Sequence, residues 1–191
     1  MKELLNKLLP TIPADIHNNL DQPKITITPL EKCNLILVTD ALQNEVGYSQ
    51  FPDGSWLVSM NCPMPGITKA MIEWWFWWHC QDDLRYPIWF PVDHISIQYH
   101  KKDRAYFRQS EMPPFQPNSQ YPVEKIGGAK MPLRIDFVTP EQFGFSGEAM
   151  RQGKIATIVC GHVSACTSPI LSAAAIIVRK NREYGVFSLR R

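Results

Sequence analysis

The chain has 191 residues, enough for one domain with a substantial hydrophobic core, and its 45% hydrophobic and 20% charged residues are the balance of an ordinary globular protein. A formal charge of +2, with basic residues scattered apart from Lys101-Lys102 and Arg190-Arg191, leaves no electrostatic footprint for nucleic acid. The longest mostly apolar run, Ile170 to Val178, contains Ser172 and falls far short of the roughly 20 residues that cross a bilayer, so no membrane partner is expected.

Residues 1–20 read as a short N-terminal helical segment stopped first by Pro10, because Glu3, Asn6 and Lys7 interrupt what would have to be the apolar core of a secretory signal. Lys24 to Thr28 and Asn34 to Thr39 carry β-branched and apolar runs that predict strands. Phe51 to Ser55 predicts a turn, with Trp56 to Met60 as the strand after it. Pro63, Pro65 and Gly66 then break the chain, and Thr68 stands as N-cap of a helix over about Lys69 to Asp83. On that helix Met71, Trp75, Trp78 and Asp82 share a stripe beside His79. Ile95 to Tyr99, Leu133 to Val138 and Ile155 to Val163 are further strands. Ala174 to Lys180 and Tyr184 to Leu189 form a closing hairpin. The polar, proline-containing stretch 101–122 reads as a loop insertion. Together these predict a single α+β domain, 1–191, with a mostly antiparallel sheet.

Five of the six tryptophans fall in two segments, Met71 to His79 and Arg85 to His94, the first holding five successive aromatic rings that run into a histidine. This pattern fits the wall of a buried, ring-accepting pocket with a metal ligand at one end, since neutral imidazole and carboxylate suit zinc. The plainer reading makes His79 and His94 core or loop histidines and the aromatic run mere packing, and no H-E-x-x-H motif argues against it. Gly144-Phe145-Ser146-Gly147 misses the G-x-S-x-G nucleophile elbow, and Gly127-Gly128 is a bulge or turn, since no phosphate-binding loop is present. Cys160 and His162 share a strand face, a placing more usual for packing neighbours than for a catalytic pair. Five cysteines, odd in number and without C-x-x-C, predict reduced thiols in a cytoplasmic setting.

Trp74-Trp75-Phe76 with His79, then Tyr86, Trp89, Pro91 and His94, together with Val123 to Gly128 and Leu133 to Phe137, resemble the diacetylphloroglucinol hydrolase and phloretin hydrolase family over about residues 60 to 180. The resemblance implies a helix-grip fold of Bet v 1 type, a curved antiparallel sheet around a ligand cavity. It also implies zinc-dependent hydrolysis of a carbon–carbon bond between an acyl group and a polyhydroxylated aromatic ring. It makes His79 a metal ligand and Glu124 the next, with Glu111 the alternative, and His162 a histidine that contacts substrate. The family draws a further histidine and glutamate from a long C-terminal helix, and here no histidine follows His162; His94, His100, His162 or a partner subunit would substitute. Under this reading Trp75 and Trp78 stack on a polyphenolic ketone, and Asp82 and Tyr86 supply polar contacts to its ring hydroxyls. The rival reading is a non-catalytic protein of the same fold that binds an aromatic ligand over an incomplete metal site. A shortened grip fold also points to homo-oligomerisation.

Overall fold

The computed structural model describes residues 11, 14, 33–38, 47–62, 64–165, 170–179 and 184–190. Most of the helical segment expected over 1–20 and the strand expected over 24–28 lie outside them. The fold is α+β with antiparallel strand pairing, as its sequence pattern predicts. Two compact units divide the chain, one built mainly from residues 70–138 and the other mainly from 11–69, 139–161 and 172–191. Among the described residues no helix is long and apolar enough to cross a membrane.

In the second of these units, helix α1 spans Cys33–Val38, where β-branched content predicts a strand. Tertiary contacts decide this segment. Cys33, Ile36 and Leu37 are buried at helical spacing, and the Asn34 side chain donates to the Gly144 carbonyl at 2.9 Å while accepting from the Ser146 amide at 2.7 Å. At the other end the Arg179 guanidinium donates to the carbonyls of Ile36 (2.7 Å) and Leu37 (2.9 Å), groups that a helix end leaves without intrahelical partners. Strand β1 (Gly47–Gln50) pairs with β2 (Trp56–Cys62) across the expected turn, which Asp53 closes by accepting from the Ser55 amide and hydroxyl at 2.9 and 2.6 Å.

In the unit that holds the aromatic segments, helix α2 (Lys69–Trp78) runs into a 3-10 turn (His79–Gln81), matching the expected helix to within two residues. A four-residue helix α3 (Tyr86–Trp89) leads to β3 (His94–Tyr99). The stretch expected as a loop over 101–122 is partly regular: Lys101–Asp103 is a 3-10 turn, α4 spans Arg104–Phe107, and residues from Asn118 onward belong to β4 (Asn118–Ile126). Burial of Tyr106 and Phe107 beside Trp77, Cys80, Tyr86 and Ile97 explains the ordering, and the Trp77 indole fixes it by donating to the Tyr106 carbonyl at 3.1 Å. β4 and β5 (Ala129–Val138) close over Gly127 and Gly128, whose φ values of 60° and 82° are those of a two-residue type I′ hairpin.

In the other unit, α5 (Pro140–Phe143) starts on a Thr139–Gln142 capping box, α6 (Gly147–Gln152) is capped by Ser146, and β6 (Ile155–Ala165) follows. β7 (Ile170–Arg179) and β8 (Tyr184–Arg190) form the expected hairpin, and β8 continues the pairing to β2.

Gly153 ends α6 where it meets α1. A methyl group there would collide with the Leu37 carbonyl oxygen and lie 2.8 Å from its carbon, both backbone atoms that cannot rotate away. Gly153→Ala is expected to lower stability by about 2–3 kcal/mol in urea unfolding, the cost of overpacking. At Gly147 the added methyl would meet only the tip of Arg151, at 3.6 Å, and Gly147→Ala is expected to stay within about 0.5 kcal/mol of wild type.

Candidate functional site

The junction of α2 with its 3-10 turn places His79 at 2% exposure, the deepest histidine among the described residues. Its Nδ1 lies 2.6 Å from the Trp75 carbonyl. A carbonyl only accepts, so Nδ1 carries the proton and Nε2 keeps its lone pair. Burial pulls the pKa from 6.5 down to about 4, the nearby His94 adds to the shift, and the Trp75 carbonyl opposes it. At neutral pH this is an uncharged imidazole with one nitrogen fixed and the other open.

Rings enclose it. Trp75 lies nearly parallel at 5.4 Å between centroids, Phe76 meets it edge-on at 5.5 Å, and Tyr86 stacks on it at 5.6 Å. Tyr86 also stacks on the His94 imidazole, at 4.0 Å and 6°. His94 and Glu124 are cross-strand partners on β3 and β4, so their side chains stand on the same sheet face. The register then shifts between His94 and Ser96, a bulge of the kind that re-aims a side chain beside a site. The Tyr86 hydroxyl donates to Glu124 Oε1, and burial with the Glu124 charge pushes the phenol well above its ordinary pKa, so it stays a donor. Burial lowers the pKa of His94 against the pull of Glu124, and its Nδ1 is buried with no hydrogen-bond partner.

Of the residues expected at the site, His79, Trp75, Tyr86, His94 and Glu124 therefore come together. Trp78 stands further along the stack, on Trp74 at 4.8 Å and Trp75 at 5.8 Å, with the Arg85 guanidinium 4.1 Å over its ring. Asp82 ends the helical segment by accepting from the Leu84 amide at 2.9 Å and lines an open cleft of about 390 Å³ with Asp83, Gln98 and Tyr99. Glu111 is exposed between α4 and β4. His162 is half-buried on β6, and His100 accepts from the Lys102 amide at 3.1 Å. Among the described residues no three of His, Cys, Asp and Glu gather as a group that could hold a metal ion. Cys160 is no nucleophile: burial first, then the Glu141 charge and the Cys33 thiol, push its thiol up to about 12.

Gln120 went unnoticed in the sequence. It is 1% exposed, donates from Nε2 to the Phe76 carbonyl and to Asn118 Oδ1, each at 3.1 Å, and keeps Oε1 without a hydrogen-bond partner. Its even spacing from Glu124 on one strand was the available signal.

The depressed His79 pKa makes a stability prediction with a definite sign. Between pH 6.5 and about 4 the unfolded chain binds a proton that the folded chain does not, so stability is full above 6.5 and falls with acidification through that window. The loss amounts to about 3 kcal/mol. Denaturant unfolding with chelator present, comparing wild type with His79→Phe, is expected to show that difference in slope between the two proteins.

The sequence matches the family profile described as DAPG hydrolase PhiG domain over residues 27–189. The 2,4-diacetylphloroglucinol hydrolase of a Pseudomonas species is 29% identical over 157 residues, covering 80% of this chain and 52% of that protein. The protein of the same name from Pseudomonas protegens is also 29% identical, with 80% of this chain and 50% of that protein covered. Phloretin hydrolase of Eubacterium ramulus is 33% identical over 123 residues, 60% of this chain and 43% of that protein. The chain thus spans about half the length of the curated relatives it matches.

Proposed function

Because the chain belongs to the DAPG hydrolase PhiG domain family, we propose that it acts as a hydrolase that breaks the carbon–carbon bond between an acyl group and a polyhydroxylated aromatic ring. The observation that carries this reading is the neutral His79 imidazole, buried with its open nitrogen in an aromatic stack that also contains a phenol donor and a carboxylate. The relatives' names pair hydrolysis with phenolic ketones, and a flat ring enters an aromatic stack with about 0.5–1.5 kcal/mol per pair beyond simple burial.

In the reaction, the phenolic ring first tautomerises to its keto form, a hydroxyl proton moving to the ring carbon that bears the acyl group. Water then adds its oxygen to the ketone carbon and loses a proton, the bond to the ring carbon breaks, and the electron pair passes into the ring carbonyl as an enolate that takes up a proton to restore the phenol. Trp75 supports the ring. His79 Nε2 is the atom able to accept a proton from the water, while Trp75 holds Nδ1–H so that the lone pair cannot turn away. Tyr86 and Glu124 are the groups suited to the ring hydroxyls, one donating and the other accepting.

Zinc is part of the proposal. The donors suit it in kind: His79 offers a neutral nitrogen whose partner nitrogen is already oriented by a carbonyl, His94 has an orphaned buried Nδ1, and Glu124 is a carboxylate beside them. Among the described residues they are not gathered as a group of three, and the Tyr86 ring stacks on both imidazoles. Zinc, when bound, supplies Lewis acidity toward the ketone oxygen. The helix-grip architecture and a cytoplasmic setting belong to the same reading, the first supported by the antiparallel pairing and the second by the cysteine pattern.

A second reading, an aromatic-ligand-binding protein that does not cleave, is favoured by the absence of a three-donor group among the described residues. Chromatographic assay of an acylphloroglucinol before and after incubation separates the two. Wild type is expected to release the acid and the deacylated ring, and His79→Ala to fall at least about 100-fold, with less zinc in elemental analysis of the purified protein. Equal turnover by wild type and His79→Ala would remove His79 from the mechanism; retained binding without product would establish the second reading.

A further inference from the structure

The last four carbonyls of a helix lack the amide partners that its interior has. In α2 each of these four accepts from a side chain. Trp75 takes His79 Nδ1 at 2.6 Å, Phe76 takes Gln120 Nε2 at 3.1 Å, Trp77 takes Gln81 Nε2 at 3.0 Å, and Trp78 takes the Arg85 guanidinium at 2.9 Å. Three of these donors come from within seven residues of the carbonyl they hold, whereas Gln120 reaches across from β4, 44 residues away. It is the member of the set that ties the helix end to the sheet.

Gln120 is poorly suited to a role in stability alone. Its Nε2 spends one hydrogen on the Phe76 carbonyl and the other on Asn118 Oδ1, both at 3.1 Å, and Asn118 is itself held by its donation to the Gln116 carbonyl at 2.9 Å. The carboxamide is thus fixed in orientation, and its Oε1, buried without a partner, can only accept. An unpaired buried acceptor costs free energy that a methionine of similar length would not incur. What the carboxamide does that methionine cannot is hold the Phe76 carbonyl at a set distance from β4. His79 begins the 3-10 turn three residues on, with the Phe76 ring edge-on to it at 5.5 Å, and Glu124 stands on the same face of β4 as Gln120.

We propose that Gln120 is a positioning residue, whose amide pins the end of α2 to β4 and so sets the His79 imidazole relative to the Glu124 carboxylate. It acts through the Phe76 carbonyl, not by contact with substrate. The role rests on the hydrolase reading where it concerns turnover; the fixing of the helix end does not depend on that reading.

The test uses Gln120→Met, which keeps the side-chain volume and removes both hydrogen-bond donations. In residue-resolved amide hydrogen exchange, the His79 and Cys80 amides of the 3-10 turn are expected to exchange about tenfold faster than in wild type, while those of β3 and β5 change by less than about twofold. In steady-state cleavage of an acylphloroglucinol, kcat is expected to fall about ten- to a hundredfold with KM within about twofold of wild type. Asn118→Ala leaves Gln120 its hold on Phe76 but loosens the carboxamide, and serves if Gln120→Met does not fold. It is expected to speed exchange at the same two amides about threefold, and to lower kcat in the same direction. Acceleration spread evenly over the turn and both strands would make Gln120 an ordinary stabilising residue and overturn the proposal. An unchanged turn, or an unchanged kcat in an active enzyme, overturns it equally. An inactive wild type sinks the hydrolase reading alone, since the exchange comparison still decides whether Gln120 fixes the helix end.

Discussion

The chemistry of the site depends on keeping the His79 imidazole uncharged while it is buried. An imidazolium among Trp75, Phe76 and Tyr86 would lose its hydration, and among the described residues the compensation in direct contact is one backbone carbonyl. The same carbonyl decides the tautomer. A neutral ring with a fixed N–H is both a competent base and a competent ligand, whereas a charged one is neither. Burial, which costs stability as pH falls, is therefore also what makes the nitrogen available.

The sheet side of the site is an exercise in register. The two-residue turn at Gly127 and Gly128 fixes β4 against β5, and counting back from Ile126 places Glu124, Pro122 and Gln120 on one face. A slip of one residue would put Lys125 where Glu124 meets Tyr86. Across the ladder the bulge after His94 lets that histidine stand opposite Glu124 while the remainder of β3 keeps its own alternation. Gln120, with an orphaned carbonyl oxygen and a hold on the Phe76 carbonyl, connects this face to α2. Its position makes it a second polar group in an otherwise aromatic enclosure.

Much of this was legible from local pattern. The turn at Phe51 to Ser55, the helix that begins at Lys69, and the final hairpin all rest on residues whose backbone preferences agree with the elements they form. Asn34 to Thr39 was misleading for a physical reason: its β-branched residues favour a strand, yet Arg179, Gly144 and Ser146 supply partners for both ends of a short helix, and those lie more than a hundred residues away. The stripe of Met71, Trp75, Trp78 and Asp82 was drawn one step off the buried face. Ile72 and His79 are the residues that go inside, together with Trp77 and Cys80, while Met71 is exposed. When five aromatic rings follow one another, hydrophobicity has no period, and periodicity cannot choose the face.

What the amino-acid order determined by itself is the inventory: an α+β chain with a tryptophan-rich helix ending in histidine, a carboxylate-bearing strand before a glycine turn, and a family signature strong enough to assign. Which of these groups meet was decided in three dimensions. Tyr86 and Glu124 are separated by 38 residues, and His94 reaches both only because a bulge and a ladder register aim it there. Side-chain chemistry is local, so sequence reports it directly; burial, pairing and the resulting pKa are properties of surroundings, and surroundings exist only once the chain has folded.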